Sequence, residues 1–165
     1  MSIGVSLTTL LAYSDHERSK WRDWIAADPT RHRLPFQAGG RFPDTAAVLD
    51  HVFLVERRHL SRLEGAVPPP STGIPAGDWA ALFEYAALVR ADFRAYVDAL
   101  DDSAAGQTVV VTGLQSSGDV AMTRLRLATH ILLHEIRHLA QLAFAARLAG
   151  HEPPGRHDLF YFGEF

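Results

Sequence analysis

The stretch from Thr123 to Ala149 constrains the fold of this chain more than any other segment. It places apolar residues at three- and four-residue spacing on two sides of one helix. Leu127, Ile131, Ala145 and Leu148 fall on one side. Leu125, Ala128, Leu132, Ile136, Leu139 and Ala143 fall on the other. Arg126 and Arg137 separate the two sides along one edge, Arg124 and Glu135 along the other. A helix with two apolar sides is central in its domain, or shares one side with a second chain. A homodimer is the expectation drawn from that pattern.

Three more helices precede it. The first is expected from about Ser6 to Ala27, where Asp28-Pro29 ends it, because proline disfavours the helical conformation in the residue before it. A loop holding Pro35 and Gly39-Gly40 follows. The second helix starts at an N-cap supplied by Asp44 or Thr45 and runs to Glu64, with Gly65 as its stop. Pro68 to Gly73 reads as a linker. The third helix begins after Asp78 and ends near Leu100, with apolar positions including Leu82, Ala86, Val89, Phe93 and Val97 at helical spacing. The span from Ala104 to Met122 breaks the pattern, and its β-branched run Thr108 to Thr112 suits a short strand. The reading is an all-α four-helix bundle, one domain over residues 1–165, with a long crossover between the third and fourth helices. Gly150 and Pro153-Pro154 stop the last helix, and the aromatic tail Asp158-Leu159-Phe160-Tyr161-Phe162 is expected to pack on the bundle.

Composition narrows the chemistry. The net charge of −3 predicts no broad attraction to nucleic acid or to an anionic membrane. No apolar stretch reaches the roughly 18 residues needed to span a bilayer, and Met1 to Leu11 lacks the features of a signal peptide. A cytoplasmic protein is expected. There are no cysteines, so disulfides, thiolate metal sites and a cysteine nucleophile are excluded. Any thiol chemistry would use a thiol brought by the substrate.

Five of the nine histidines lie in two helices: His51 and His59 in the second, and His130, His134 and His138 in the last. A four-residue step turns a net ~40° around a helix, so His134 and His138 point the same way one turn apart. Two such imidazoles can reach one ion with metal–nitrogen distances of about 2.0–2.1 Å. Their side of the helix is mainly apolar and also carries Gln141. Histidines there need hydrogen-bond partners or a metal. A third ligand must come from another helix, and His51 is the best candidate, beside the arc formed by Val48, Val52, Val55 and Leu63. Three histidines plus water make an open site that can activate the water or a bound substrate atom. The competing reading of a His pair at this spacing is a set of structural histidines on a half-buried face. His59 and His130 read as supporting or packing residues, while His16, His32, His151 and His157 read as ordinary surface or loop residues.

The run His134-Glu135-Ile136-Arg137-His138 also has the form of the zinc-protease helix, in which the Glu is the general base. Its place near the C-terminus of a mostly helical chain, with no substrate-binding sheet before it, argues against that reading.

The chain resembles the DinB/YfiT-like family of small helical-bundle metalloproteins over nearly its whole length. The likeness rests on Leu49-Asp50-His51-Val52 through Leu63-Glu64-Gly65, on His130, His134 and His138-Leu139-Ala140-Gln141, on Leu148-Ala149-Gly150, and on Asp158-Leu159-Phe160-Tyr161. It departs from the family pattern at Leu139-Ala140, where Arg-Gly is usual, and at Leu133, where Asn is frequent. The resemblance implies that His51, His134 and His138 bind one divalent transition metal, with zinc or nickel expected. It implies an S-transferase that uses a low-molecular-weight thiol such as bacillithiol, mycothiol or glutathione. A non-catalytic metal-binding or stress-response bundle, a metal-dependent hydrolase and a metal-free structural bundle are the alternatives. His59, His130, Gln141, Arg58, Arg62 and Glu56 are candidates for supporting the ligands or touching a small-molecule substrate. Arg58 and Arg62 lie on the side of the second helix that carries His51 and could hold a carboxylate or phosphate. The competing readings for the arginines and Glu56 are a solvated basic edge and a structural ion pair.

Overall fold

A computed structural model of the chain describes residues 5–36, 41–114, 118–158 and 161–163. Four long helices dominate it: α1 (Leu7–Ala27), α2 (Thr45–Leu63), α3 (Trp79–Asp98) and α5 (Arg124–Leu148), with a one-turn helix α4 (Asp102–Ala105) before the last. The cap residues set the boundaries. Ser6, Asp44, Asp78 and Thr123 each accept a hydrogen bond from a free backbone N–H of the first turn, at 2.9–3.1 Å. The cap of α2 is therefore Asp44 and not Thr45. Gly65 follows α2 with φ of 74°, a left-handed conformation that glycine adopts without a side-chain clash.

The bundle is mostly helical but not all-α. The crossover from α3 to α5 contains a hairpin, β1 (Thr108–Leu114) and β2 (Gly118–Thr123), paired antiparallel from Thr108–Thr123 to Val111–Val120, with a register irregularity between Val111 and Leu114. The expected strand is present and longer. Its partner was not expected, because Asp119-Val120-Ala121-Met122 alternates too briefly to stand out. Val109, Val111 and Met122 tuck against the end of the bundle.

Around the bundle, α5 packs on α1 and α2, and α3 packs on the same two helices. The α3–α5 pair is thus diagonal, and the hairpin crossover spans that diagonal. Two apolar clusters fill the interior. One gathers Trp21, Ile25, Leu49, Phe53, Phe83 and Leu142 with their neighbours. The other gathers Leu11, Leu60, Phe93, Val111, Leu127 and Leu132 with theirs.

Between these clusters along every long helix lies a charged layer: Ser14 and Arg18 on α1, Glu56 on α2, Arg90 on α3 and Glu135 on α5, all buried. Arg18 donates to Glu56 at 2.5 Å, to both oxygens of Glu135 at 2.7 and 2.9 Å, and to the carbonyl of Ala86 at 3.0 Å. Arg90 donates to Glu56 at 2.7 and 3.3 Å, to Asp15 at 2.9 Å and also to Glu135. Ser14 donates to Glu135 at 2.7 Å. Two buried cations face two buried anions, so the layer is neutral and its hydrogen bonds are satisfied, as burial of charge requires.

The second apolar side of α5 is largely covered by the chain's own helices: Ala128, Leu132, Leu139 and Ala143 are buried, although Leu125 is exposed. That side needs no second chain to cover it. Association between copies would have to use other surface, such as the exposed Leu133, Phe144 and Leu148. Leu148, placed by the sequence pattern on the inward side, lies outside it.

The tail docks on α1. The Trp24 indole donates to the carbonyl of Glu152 at 2.9 Å, Lys20 to that of Arg156 at 2.6 Å, and Tyr13 to that of His157. The ring of Phe162 packs edge-on against Tyr13, with centroids 5.6 Å apart. Leu159 and Phe160, and the Gly39-Gly40 pair of the earlier loop, lie outside the described residues. No helix among the described residues is long and apolar enough to cross a membrane.

A candidate metal centre of three histidines

His134 and His138 project from consecutive turns of α5 with ring centroids 4.5 Å apart. His51, from α2, completes the group at 5.2 Å from His134 and 5.1 Å from His138. One nitrogen from each ring lies within 4.8 Å of the others. Three nitrogens on one tetrahedral ion at about 2.0–2.1 Å stand roughly 3.3–3.4 Å apart, so the rings would draw together to share an ion. His134 and His138 are buried and His51 is half-buried, which places the group at the rim of the α2–α5 seam. Nδ1 of His138 is buried with no hydrogen-bond partner. A ring nitrogen left in that state is costly unless something binds the histidine. The donor set, three imidazoles and no thiolate, fits a divalent transition ion such as zinc or nickel without choosing between them.

The imidazoles are neutral. Burial, the other histidines and nearby arginines push His51 down to about 4 and His134 down to about 2. His138 is also lowered, by burial first and then by Arg137, with a smaller opposing effect from Gln141. Gln141, exposed three residues beyond His138, thus acts as a supporting amide. Neutral imidazole is the form that binds metal.

Phe42 was not anticipated. Its ring lies 4.9 Å from that of His51 and 5.9 Å from that of His138. The backbone holds it there: Phe36 N–H donates to Pro43 O, and Thr45 N–H to Leu34 O, each at 3.0 Å, and this ties the ends of the loop together just before α2. The available signal was an aromatic residue two positions before a helix cap, which alone says nothing about where the ring goes.

The other candidates divide. His130, exposed, stands 5.6 Å from His134 and 5.4 Å from His59, so a row of imidazoles runs from the triad toward the hairpin end. Burial and Arg62 push His59 down to about 3. Arg62 sits 3.4 Å from Nδ1 of His59, facing that ring. Arg58 is held by the carbonyls of Pro69 and Pro70, at 2.8 and 2.5 Å. Glu56 belongs to the charged layer and pairs with Arg18 and Arg90. Glu135 does too. Burial raises its pKa, but Arg18 and Arg90 outweigh burial and hold it down to about 2. A carboxylate so engaged is not a general base, and this removes the protease-like reading.

Two histidines read as ordinary are not. His32 is only 2% exposed, at the wall of a cavity of about 410 Å³ formed with Asp50, Thr72 and Ile74. None of the triad lines that cavity, although Asp50 immediately precedes His51. His157 stacks on Trp21 and meets Glu17 at 2.5 Å, so it anchors the tail.

A four-helix bundle with a three-histidine group on two of its helices defines a class of helical metalloprotein candidates. The DinB family model matches residues 1–162, and the chain belongs to the DinB family. Among curated proteins none matches it.

Proposed function

We propose that this DinB-family chain is a divalent-metal-dependent enzyme, and specifically a cytoplasmic S-transferase that joins a low-molecular-weight thiol to a small electrophile. The observation that carries the metal reading is the convergence of His51, His134 and His138 within 4.8 Å at a half-buried rim. A bound ion with an open position lowers the pKa of a thiol that reaches it, so that thiolate is available near neutral pH. The chain supplies the rest. Three neutral rings would hold the ion, and Phe42 packs against two of them. His130, exposed beside His134, is placed to take a proton at a ring nitrogen and pass it to solvent. With no cysteine in the chain, the thiol is a substrate.

One observation favours a non-catalytic metal-binding module as the second reading. Leu139, where the resemblance expects Arg, is buried in the core with Trp21 and Leu142, so any role of that arginine is lost. Turnover separates the two. The protein, with and without added metal, is given a panel of small thiols and a chromogenic electrophile. A metal-dependent rate above the uncatalysed reaction supports the transferase, and no such rate with any thiol counts against it.

A further inference from the structure

The surroundings of the triad carry charge of one sign. After burial and His138, the groups that act on His51 are Arg41, Arg58 and Arg137, and Arg137 also acts on His130, His134 and His138. Their positions follow from the fold. Arg137 directly precedes His138 and lies one turn beyond His134 on α5. Arg58 is two turns beyond His51 on the same side of α2 and is oriented by the Pro69 and Pro70 carbonyls. The Arg41 guanidinium carbon stands 5.6 Å from the centroid of Phe42, whose ring rests on His51 and His138.

Among the described residues, Arg18, Arg22, Arg31, Arg33, Arg57, Arg90 and Arg94 are matched with acids, whereas Arg62, Arg124, Arg126, Arg147 and Arg156, away from the three rings, are not. Arg18 and Arg90 meet Glu56 and Glu135, Arg57 meets Glu64 and Asp92, Arg33 meets Asp44, and Arg94 meets Asp15. Among the described residues, no carboxylate lies within ion-pair distance of Arg41, Arg58 or Arg137. A divalent ion on three neutral imidazoles would add two positive charges to this unmatched set. Such a site attracts anions and rejects cations, and guanidinium forks suit planar or tetrahedral oxyanions.

We infer that the small molecule taken at the triad carries an oxyanion, a carboxylate or phosphate, in addition to the atom that reaches the histidines, and that Arg41 and Arg137 select it. This rests on the metal reading of the triad given above, but not on the transferase activity. Arg58, held by the linker, backs the pair and fixes the edge of the site. An uncharged substrate of the same size would leave three cations unmatched, and one carrying an ammonium group without an oxyanion would be repelled.

The test uses the protein loaded with Co²⁺ and two thiols that differ by one charge, 3-mercaptopropionate and 2-mercaptoethanol, followed by the thiolate-to-cobalt absorption. The carboxylate thiol is expected to bind at least about tenfold tighter, with a preference that shrinks as salt rises. The preference should fall to about twofold or less in the exposed-site double variant Arg41→Ala/Arg137→Ala and stay unchanged in Arg147→Ala. Equal affinities in the unaltered protein overturn the inference. A parallel calorimetric titration uses succinate and inorganic phosphate, neither of which has a thiol. Binding of either that weakens about tenfold in the double variant supports the inference and tells which oxyanion is preferred. Absence of binding by both, or binding that the variant leaves unchanged, overturns it. If neither thiol alters the cobalt spectrum, the transferase reading fails alone, and the two oxyanions still decide this one.

Discussion

His134 and Glu135 are neighbours in sequence and turn their side chains to opposite chemistry. His134 faces His51 and His138 at the rim, while Glu135, 1% exposed, points into the interior between Arg18 and Arg90. One step along a helix is a rotation of about 100°, enough to move a side chain from the seam to the core. The run that looks like one catalytic motif is therefore two separate devices.

That separation predicts two phenotypes that do not overlap. Glu135→Ala leaves two buried arginines short of a partner and should cost about 3–5 kcal/mol, with a fall in Tm of roughly 10 °C. Metal content per folded chain should stay unchanged. A Glu135→Ala protein that unfolds at the usual temperature, read by calorimetry, would refute the role given to the charged layer.

His51→Ala, His134→Ala and His138→Ala should each reduce copurified or reloaded metal from about one ion per chain to below about a tenth, measured by elemental analysis on untagged protein. His59→Ala and His130→Ala should retain it. Loss of metal from the last two and not from the first three would move the site along the row of imidazoles.

Acid stability should carry the signature of Glu135. Its folded pKa, about 2, lies below its ordinary 4.5. A depressed carboxylate contributes stability that is fully present above the unfolded value and is lost as pH falls through the folded value. Denaturant unfolding should therefore show stability declining from pH 4.5 toward pH 2, and the decline should be shallower in Glu135→Gln. Parallel pH profiles for the two proteins would contradict this.

Metal uptake should be insensitive to mild acid. His51 and His134 stay neutral well below the ordinary 6.5 of histidine, at about 4 and about 2. The apoprotein has few protons to give up when an ion binds at pH 6. Calorimetric heats of Zn²⁺ binding at that pH should be the same in buffers of different ionisation enthalpy. Heats that track the buffer would mean that the rings are charged.

The helices and two of their caps were legible because one helix's own pattern specifies them: apolar spacing for α2, α3 and α5, Asp78 at the start of α3, and Asp44 as one of two candidates at the start of α2. The His134–His138 pair was legible for the same reason, and His51 entered through family resemblance. What escaped were features that depend on two elements at once. Glu135 read as a helix edge because nothing in α5 announces Arg18 and Arg90. Phe42, His32 and His157 read as loop residues because their burial is decided by α2, by the 71–78 segment and by α1.

The charged layer also acts as an alignment gauge. Sliding α2 by one turn against α5 would drag Glu56 or Glu135 out of reach of the two arginines and into an apolar cluster, at a cost far above that of losing one packing contact. Only one relative height of the two helices keeps all four charges matched. His51 sits five residues before Glu56, and His134 directly before Glu135, so that same height sets where the three imidazoles meet. The apoprotein can thus hold its ligands level without help from the ion, and a chain that lost its metal would keep a seat ready for the next.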